Sequence, residues 1–180
     1  MIKHFFWLVV FFTCLPAFAH ADGNCRAKDS AEIIKIFNHG ITLNQKFKKS
    51  VGGGDKDEYR KLRKSSEQYD EGTVIPCVRR VPQLLSKRSS PALMHKLMQL
   101  VISYENSADE TVSYSMGKVF AANPEAVESG IKEFPKNGRK LIANSVQTGW
   151  VNVKAGLNAA LVANRDERIK KLEQNIGVKT

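Results

Sequence analysis

SPALMHKLMQLVISYENSADETVSYSMGKVFAANPEAVESGIKEF, residues 90–134, carries three apolar stripes in succession. Leu93, Leu97, Leu100, Val101 and Tyr104 fall on one face of an α-helix. After a polar break at Glu105-Asn106-Ser107, Val112, Met116, Val119 and Phe120 form a second stripe. Asn123-Pro124 restarts the pattern with Val127, Ile131 and Phe134. None of these helices can bury its stripe alone. The short breaks between them force antiparallel neighbours, so the stretch predicts a helical stack.

The start signals agree. Ser90 is placed to cap its helix, with Pro91 at the first position, where a missing N–H costs nothing. Ser107 reads as the next cap, with Glu110 at the capping-box position. Pro124 opens a helix and Pro135 closes it. Pro91 and Pro124 stand thirty-three residues apart, the length of a two-helix repeat unit, although their surroundings match poorly. The expectation is all-α: an irregular stack or bundle of about seven to eight helices, HEAT-like at best.

Toward the C-terminus, Asn137-Gly138 begins a helix with Leu141, Ile142, Ser145 and Val146 inward. Gly149-Trp150 reads as a sharp turn, followed by a stripe of Val153, Leu157, Ala160 and Leu161. The last helix is expected from about Arg165, with Ile169, Leu172 and Ile176 inward and Gly177 as its stop. Toward the N-terminus, Asp29 and Glu32 make a cap pair, and Asn38-His39-Gly40 reads as the end of that first helix. Gly52, Gly53 and Gly54 form a flexible loop, without the Lys-Ser/Thr of a phosphate-binding loop. A polar helix follows from Asp55 to Tyr69, and Glu71-Gly72-Thr73 breaks the chain. Pro76 and Pro82 then predict a short or kinked helix through Ser86.

Residues 1–21 have the layout of a secretory leader: Lys3, an apolar run from Phe5 to Phe12, and Ala19-His20-Ala21 at the cleavage site. An uncleaved N-terminal anchor is the alternative. The bulky residues before Cys14 do not suit lipidation. Residues 22–180 then form a single helical domain, periplasmic or secreted. No other run is long enough for a membrane span, so the domain is expected not to be integral to the membrane. Cys25 and Cys77 remain, and two cysteines in an oxidising compartment most simply pair. Two buried free thiols are the alternative.

With 28 Lys+Arg against 18 Asp+Glu, the net charge is +10. Outside the cytoplasm such charge points to acidic protein surfaces, anionic lipid or wall polymers rather than nucleic acid. The basic face Arg60, Lys61, Arg63 and Lys64 is a candidate docking wall, extended by Arg79-Arg80 and Arg139-Lys140. Tyr114 lies off its stripe, and Trp150 is either a core anchor or a partially exposed hot spot. The candidate partner-binding residues are thus Arg60, Arg63, Lys64, Tyr114, Arg139 and Trp150. The loop Gly52, Gly53, Gly54 is a candidate for insertion into a partner's cleft.

Chemistry is sparse. His39 and His95 belong to no metal-binding or nucleophile motif, and no cofactor or metal site is expected. The carboxylate pairs Asp109-Glu110 and Asp166-Glu167 stand near helix starts, where negative charge is favoured structurally. These features point away from an enzyme.

In its leader, size, paired cysteines and helical content, the chain resembles the small periplasmic helical immunity proteins that neutralise type VI secreted amidases. The resemblance implies an inhibitor acting by occlusion on one cognate protein. It assigns no residue roles. The alternative is a basic envelope adaptor or structural protein contacting anionic lipid or wall polymer. A homodimer through an exposed helix is compatible with either.

Overall fold

The computed structural model describes residues 24–105 and 109–176. The expected leader, the Ser107 cap and the Gly177 stop lie outside them. Every element among the described residues is helical: α1 (Ser30–Ser50), α2 (Lys56–Tyr69), α3 (Ile75–Lys87), α4 (Pro91–Ser103), α5 (Thr111–Ala122), α6 (Pro124–Ile131), α7 (Lys136–Val153) and α8 (Ala159–Ile176). A π-helical turn, Asp70–Val74, joins α2 to α3, and a 3-10 turn, Lys154–Gly156, follows α7.

The helices stack in two layers. One layer is α1, α4 and α6, and the other is α3, α5 and α7, each helix packed on the next. α2 lies outside, against α1, and α8 covers α7 and α6 at the far end. Leu93, Leu97, Leu100, Met116, Phe120, Val127 and Ile131 are buried between the layers, so the stripes of the deciding stretch do meet.

The caps follow the sequence. Asp29 accepts from the Glu32 N–H at 2.9 Å, Ser90 from Leu93 at 3.4 Å and Asn123 from Ala126 at 3.1 Å. Both Pro91 and Pro124 open helices. α5 starts at Thr111, whose N–H is taken by Asp109 at 2.7 Å. Cys25 and Cys77 are disulfide-bonded, with Cα atoms 4.6 Å apart, which fastens the N-terminal segment to α3. Arg80 adds a hydrogen bond to the Ala27 carbonyl.

The glycine signals need correction. Gly40 does not end α1 but lies inside it, buried, where a Cβ would stand 2.8 Å from Val74 Cγ2. Glu71-Gly72-Thr73 is no break: the π turn carries α2 into α3 without leaving the helix. Gly149-Trp150 is no turn either, for both are buried inside α7. At Gly149 and Gly117 the backbones of α7 and α5 touch, which only glycines allow. The stripe from Val153 to Leu161 is split by the 3-10 turn, and the last helix starts at Ala159 rather than Arg165. Pro135 sits just before α7, four residues beyond the end of α6. Pro82 stands inside α3.

Candidate functional site

α1 and α2 form a helical hairpin whose tip is the glycine stretch. Phe47 packs on Tyr59, ring centroids 5.4 Å apart, and His39 meets the edge of Tyr69 at 4.7 Å. The root of α1 is in the core through Ile33 and Phe37. The hairpin is thus a rigid arm with its base fixed in the stack.

The tip is a turn built on the glycine stretch. Gly52 and Gly54 hold φ of +90° and +82°, conformations that other residues rarely adopt. The Gly53 N–H donates to the Ser50 carbonyl at 3.1 Å. Asp55 then caps α2, accepting from the Asp57 and Glu58 N–H groups at 3.0 Å each. Val51, at the start of this turn, is 59% exposed, more than any other large hydrophobic residue described.

Arg60, Arg63 and Lys64 are exposed on α2 of the same arm. Arg60 reaches Asp57 at 3.4 Å and Arg63 reaches Glu67 at 2.7 Å. These are exposed pairs along one helix and contribute little to stability. Lys46, Lys48 and Lys49 are exposed on α1 opposite. Between Lys46 and Glu67 the arm carries eight cations and four carboxylates, so much of the chain's excess charge sits there.

The other candidates lie elsewhere. Tyr114 is on α5, 37% exposed, with the Lys118 ammonium 4.4 Å over its ring. Arg139 is half-buried on α7, beside a cleft lined by Glu128, Glu167 and Arg168. Neither joins the arm's lysines. Trp150 is 1% exposed and is not a surface anchor. It meets Phe120 edge-on at 6.1 Å and donates Nε1–H to Asp166 at 2.6 Å, tying α8 to the core. That hydrogen bond, with help from Lys154, holds the Asp166 carboxyl below the usual carboxylate range. Of the other carboxylate pair, Asp109 serves at the start of α5. Among the described residues no three His, Cys, Asp or Glu side chains converge to hold a metal. No described helix is long and apolar enough to cross a membrane.

Between the arm and the end of α4 runs a cleft of about 670 Å³, lined by Phe47, Val51, Arg63, Asp70 and Tyr104 among others. Asn44 bridges its wall, donating to the Ser103 carbonyl at 2.7 Å. Asp70, in the π turn, lies at its floor. Neither its Oδ1 nor the Tyr104 hydroxyl has a hydrogen-bond partner among the described residues. Burial pushes the Asp70 carboxyl above its ordinary 3.8; the Tyr104 and Ser66 hydroxyls lie close enough to offset part of this without completing a hydrogen bond, while Asp109 and Glu71 add to it. Burial, then Asp70, likewise raises the Tyr104 phenol. Sequence reasoning missed this pair, because the two residues meet only through the packing of α1 on α4.

A carboxyl with a raised folded pKa binds its proton more tightly folded than unfolded. Its contribution is therefore fully present below the unfolded pKa and is lost as pH rises through the folded value. Asp70→Asn is expected to raise the melting temperature at neutral pH and to lose that advantage near about pH 3, where aspartate is protonated in both states. Thermal melts at the two pH values check this. An equal gain at both would mean that burial of the charge is not the cause.

No protein-family model, curated protein or solved structure matches this chain.

Proposed function

We propose that the chain is a periplasmic inhibitor or immunity protein that binds one cognate secreted enzyme or toxin, with the α1–α2 arm as its contact. The observation that carries this reading is Val51, an exposed apolar residue on a glycine turn at the end of a rigid arm. Such a turn fits a concave site, and an apolar anchor ringed by polar residues is the usual anatomy of a binding hot spot. The lysines around it would steer the arm toward an acidic cleft. The disulfide agrees with an oxidising compartment.

The test uses residues 22–180 as bait against envelope extract and neighbouring-gene products, washed at low and high salt. The expected result is one stoichiometric protein retained at high salt, whose activity the chain silences. Val51→Asp should weaken that complex by more than about tenfold, the effect of losing one anchor. The variant's melting temperature should not move, since surface changes cost within about 0.5 kcal/mol. A complex indifferent to Val51→Asp would remove the arm from the interface.

A second reading has its own observation. Lys46, Lys48, Lys49, Lys56, Lys61 and Lys64 crowd the arm, and no carboxylate within ion-pair distance is found for them among the described residues. That suits an envelope adaptor holding anionic lipid or wall polymer. Binding of this kind weakens steeply with salt, whereas a packed interface persists. Retention of anionic material alone, lost as salt rises, would sink the inhibitor reading and favour this one.

A further inference from the structure

We propose that the half-open pocket between α3, α4, α5 and α6 binds a small neutral molecule with a single ring and one hydrogen-bonding head. This pocket shares no lining residue with the arm and is independent of the inhibitor reading. Pro82 and Leu85 of α3, Met94 of α4, Val119 of α5 and Ala126 of α6 form its apolar walls. Its volume is about 160 Å³. An apolar cavity of about 150 Å³ accommodates benzene, so one six-membered ring is the size that fits. Small residues keep the space open: Ala122, Ala126 and Gly130 line it from α5 and α6.

Charge narrows the ligand class. The chain has 28 Lys and Arg residues, yet none lines this pocket. An anionic ligand would find no lysine or arginine there, and His95 is already committed to Glu133. Glu133 is the one acid in the lining, and its Oε2 is already engaged by His95 Nδ1 at 2.7 Å. His95 is held on three sides: by Glu133, by Gln99 at 3.0 Å from Nε2, and by the Phe134 ring stacked at 4.7 Å. With both imidazole nitrogens taken, the other Glu133 oxygen and the hydroxyls of Ser90 and Ser129 offer hydrogen bonds to a neutral head. Apolar walls with a few oriented polar groups are the usual make-up of a small-molecule site.

The test is an NMR titration of the whole mature chain, followed at the Met94 and Ala126 methyl groups. The probes are p-cresol, toluene and benzoate. p-Cresol is expected to bind with Kd on the order of 0.1–1 mM, typical for a ligand of so few atoms. Toluene should bind about fivefold more weakly, the worth of one neutral hydrogen bond. Benzoate should give no shift. Ala126→Phe, which fills the pocket, should abolish the shifts for every probe. Should that variant fold poorly, Ala122→Phe at the exposed end of α5 closes the mouth without entering the core. No methyl shift with p-cresol or toluene, or shifts that survive both variants, would overturn the site. Benzoate binding as tightly as p-cresol would overturn its preference for a neutral head. Equal affinity for toluene and p-cresol would overturn the role of the polar end.

Discussion

Gly149→Ala is expected to cost roughly 3 kcal/mol or more, lowering the melting temperature by about 10 °C. The added Cβ would stand 1.7 Å from the Ser113 carbonyl oxygen and 2.8 Å from the Gly117 nitrogen. Both obstacles are backbone, so no side chain can swing aside. α7 would have to lift from α5 along the largest interface in the stack. Lifting it would open the hydrogen bond between the Ser113 and Ser145 hydroxyls, now 2.9 Å, and loosen Trp150 against Phe120. Alanine's better helix propensity returns only about 1 kcal/mol. Gly72→Ala is the matched control, since a Cβ there meets nothing within 4 Å. It should be neutral or slightly stabilising. Denaturant melts of both variants give the comparison, and a Gly149→Ala protein as stable as the parent would mean that the two backbones do not touch.

Loss of the disulfide is expected to have an effect of similar size. Cys25 and Cys77 are separated by 52 positions, and closing a loop of that length stabilises the fold by about 4 kcal/mol in the chain-entropy account. Cys77 is 1% exposed at the start of α3, so Cys77→Ser would also place a hydroxyl in the core. Cys25→Ser is the cleaner test, because Cys25 is only half-buried. It should lower the melting temperature by about 10 °C for a domain of this size. The reduced parent should melt with it. A reduced protein that melts with the oxidised parent would show that Arg80 and the buried Ala27 hold the N-terminal segment without the bridge.

The layer structure was legible in residues 90–134 because each signal there is local. A capping serine or asparagine, a proline at the first helical position and a stripe at helical spacing all act within one turn. The cysteine pair was legible from the expected leader and from the number of cysteines left beyond it. The glycines misled, since their meaning here depends on partners distant in sequence. Gly40 makes room for Val74, and Gly149 for Ser113. Read locally, each looks like a stop. Trp150 was ambiguous for the same reason, until its burial beside Phe120 and Asp166 decided it. Of the candidate site, the glycine turn and the lysines could be read from composition. The exposure of Val51 could not, because an apolar residue in sequence carries no sign of which way it faces. His95 and Glu133 meet across 38 positions, a contact that no spacing rule anticipates.

The π turn between α2 and α3 acts as a phase shifter. Each residue advances an α-helix by about 100°, so one extra residue within a turn rotates everything beyond it by that amount. α2 ahead of the turn is polar and buries little but Ser66, whereas α3 beyond it buries Ile75, Cys77, Val78 and Val81. The chain thus passes from an outer strut to an inner beam without a hinge. Arm and stack are joined by one unbroken helical rod, and where that rod enters the stack Val74 lies fully buried against Gly40.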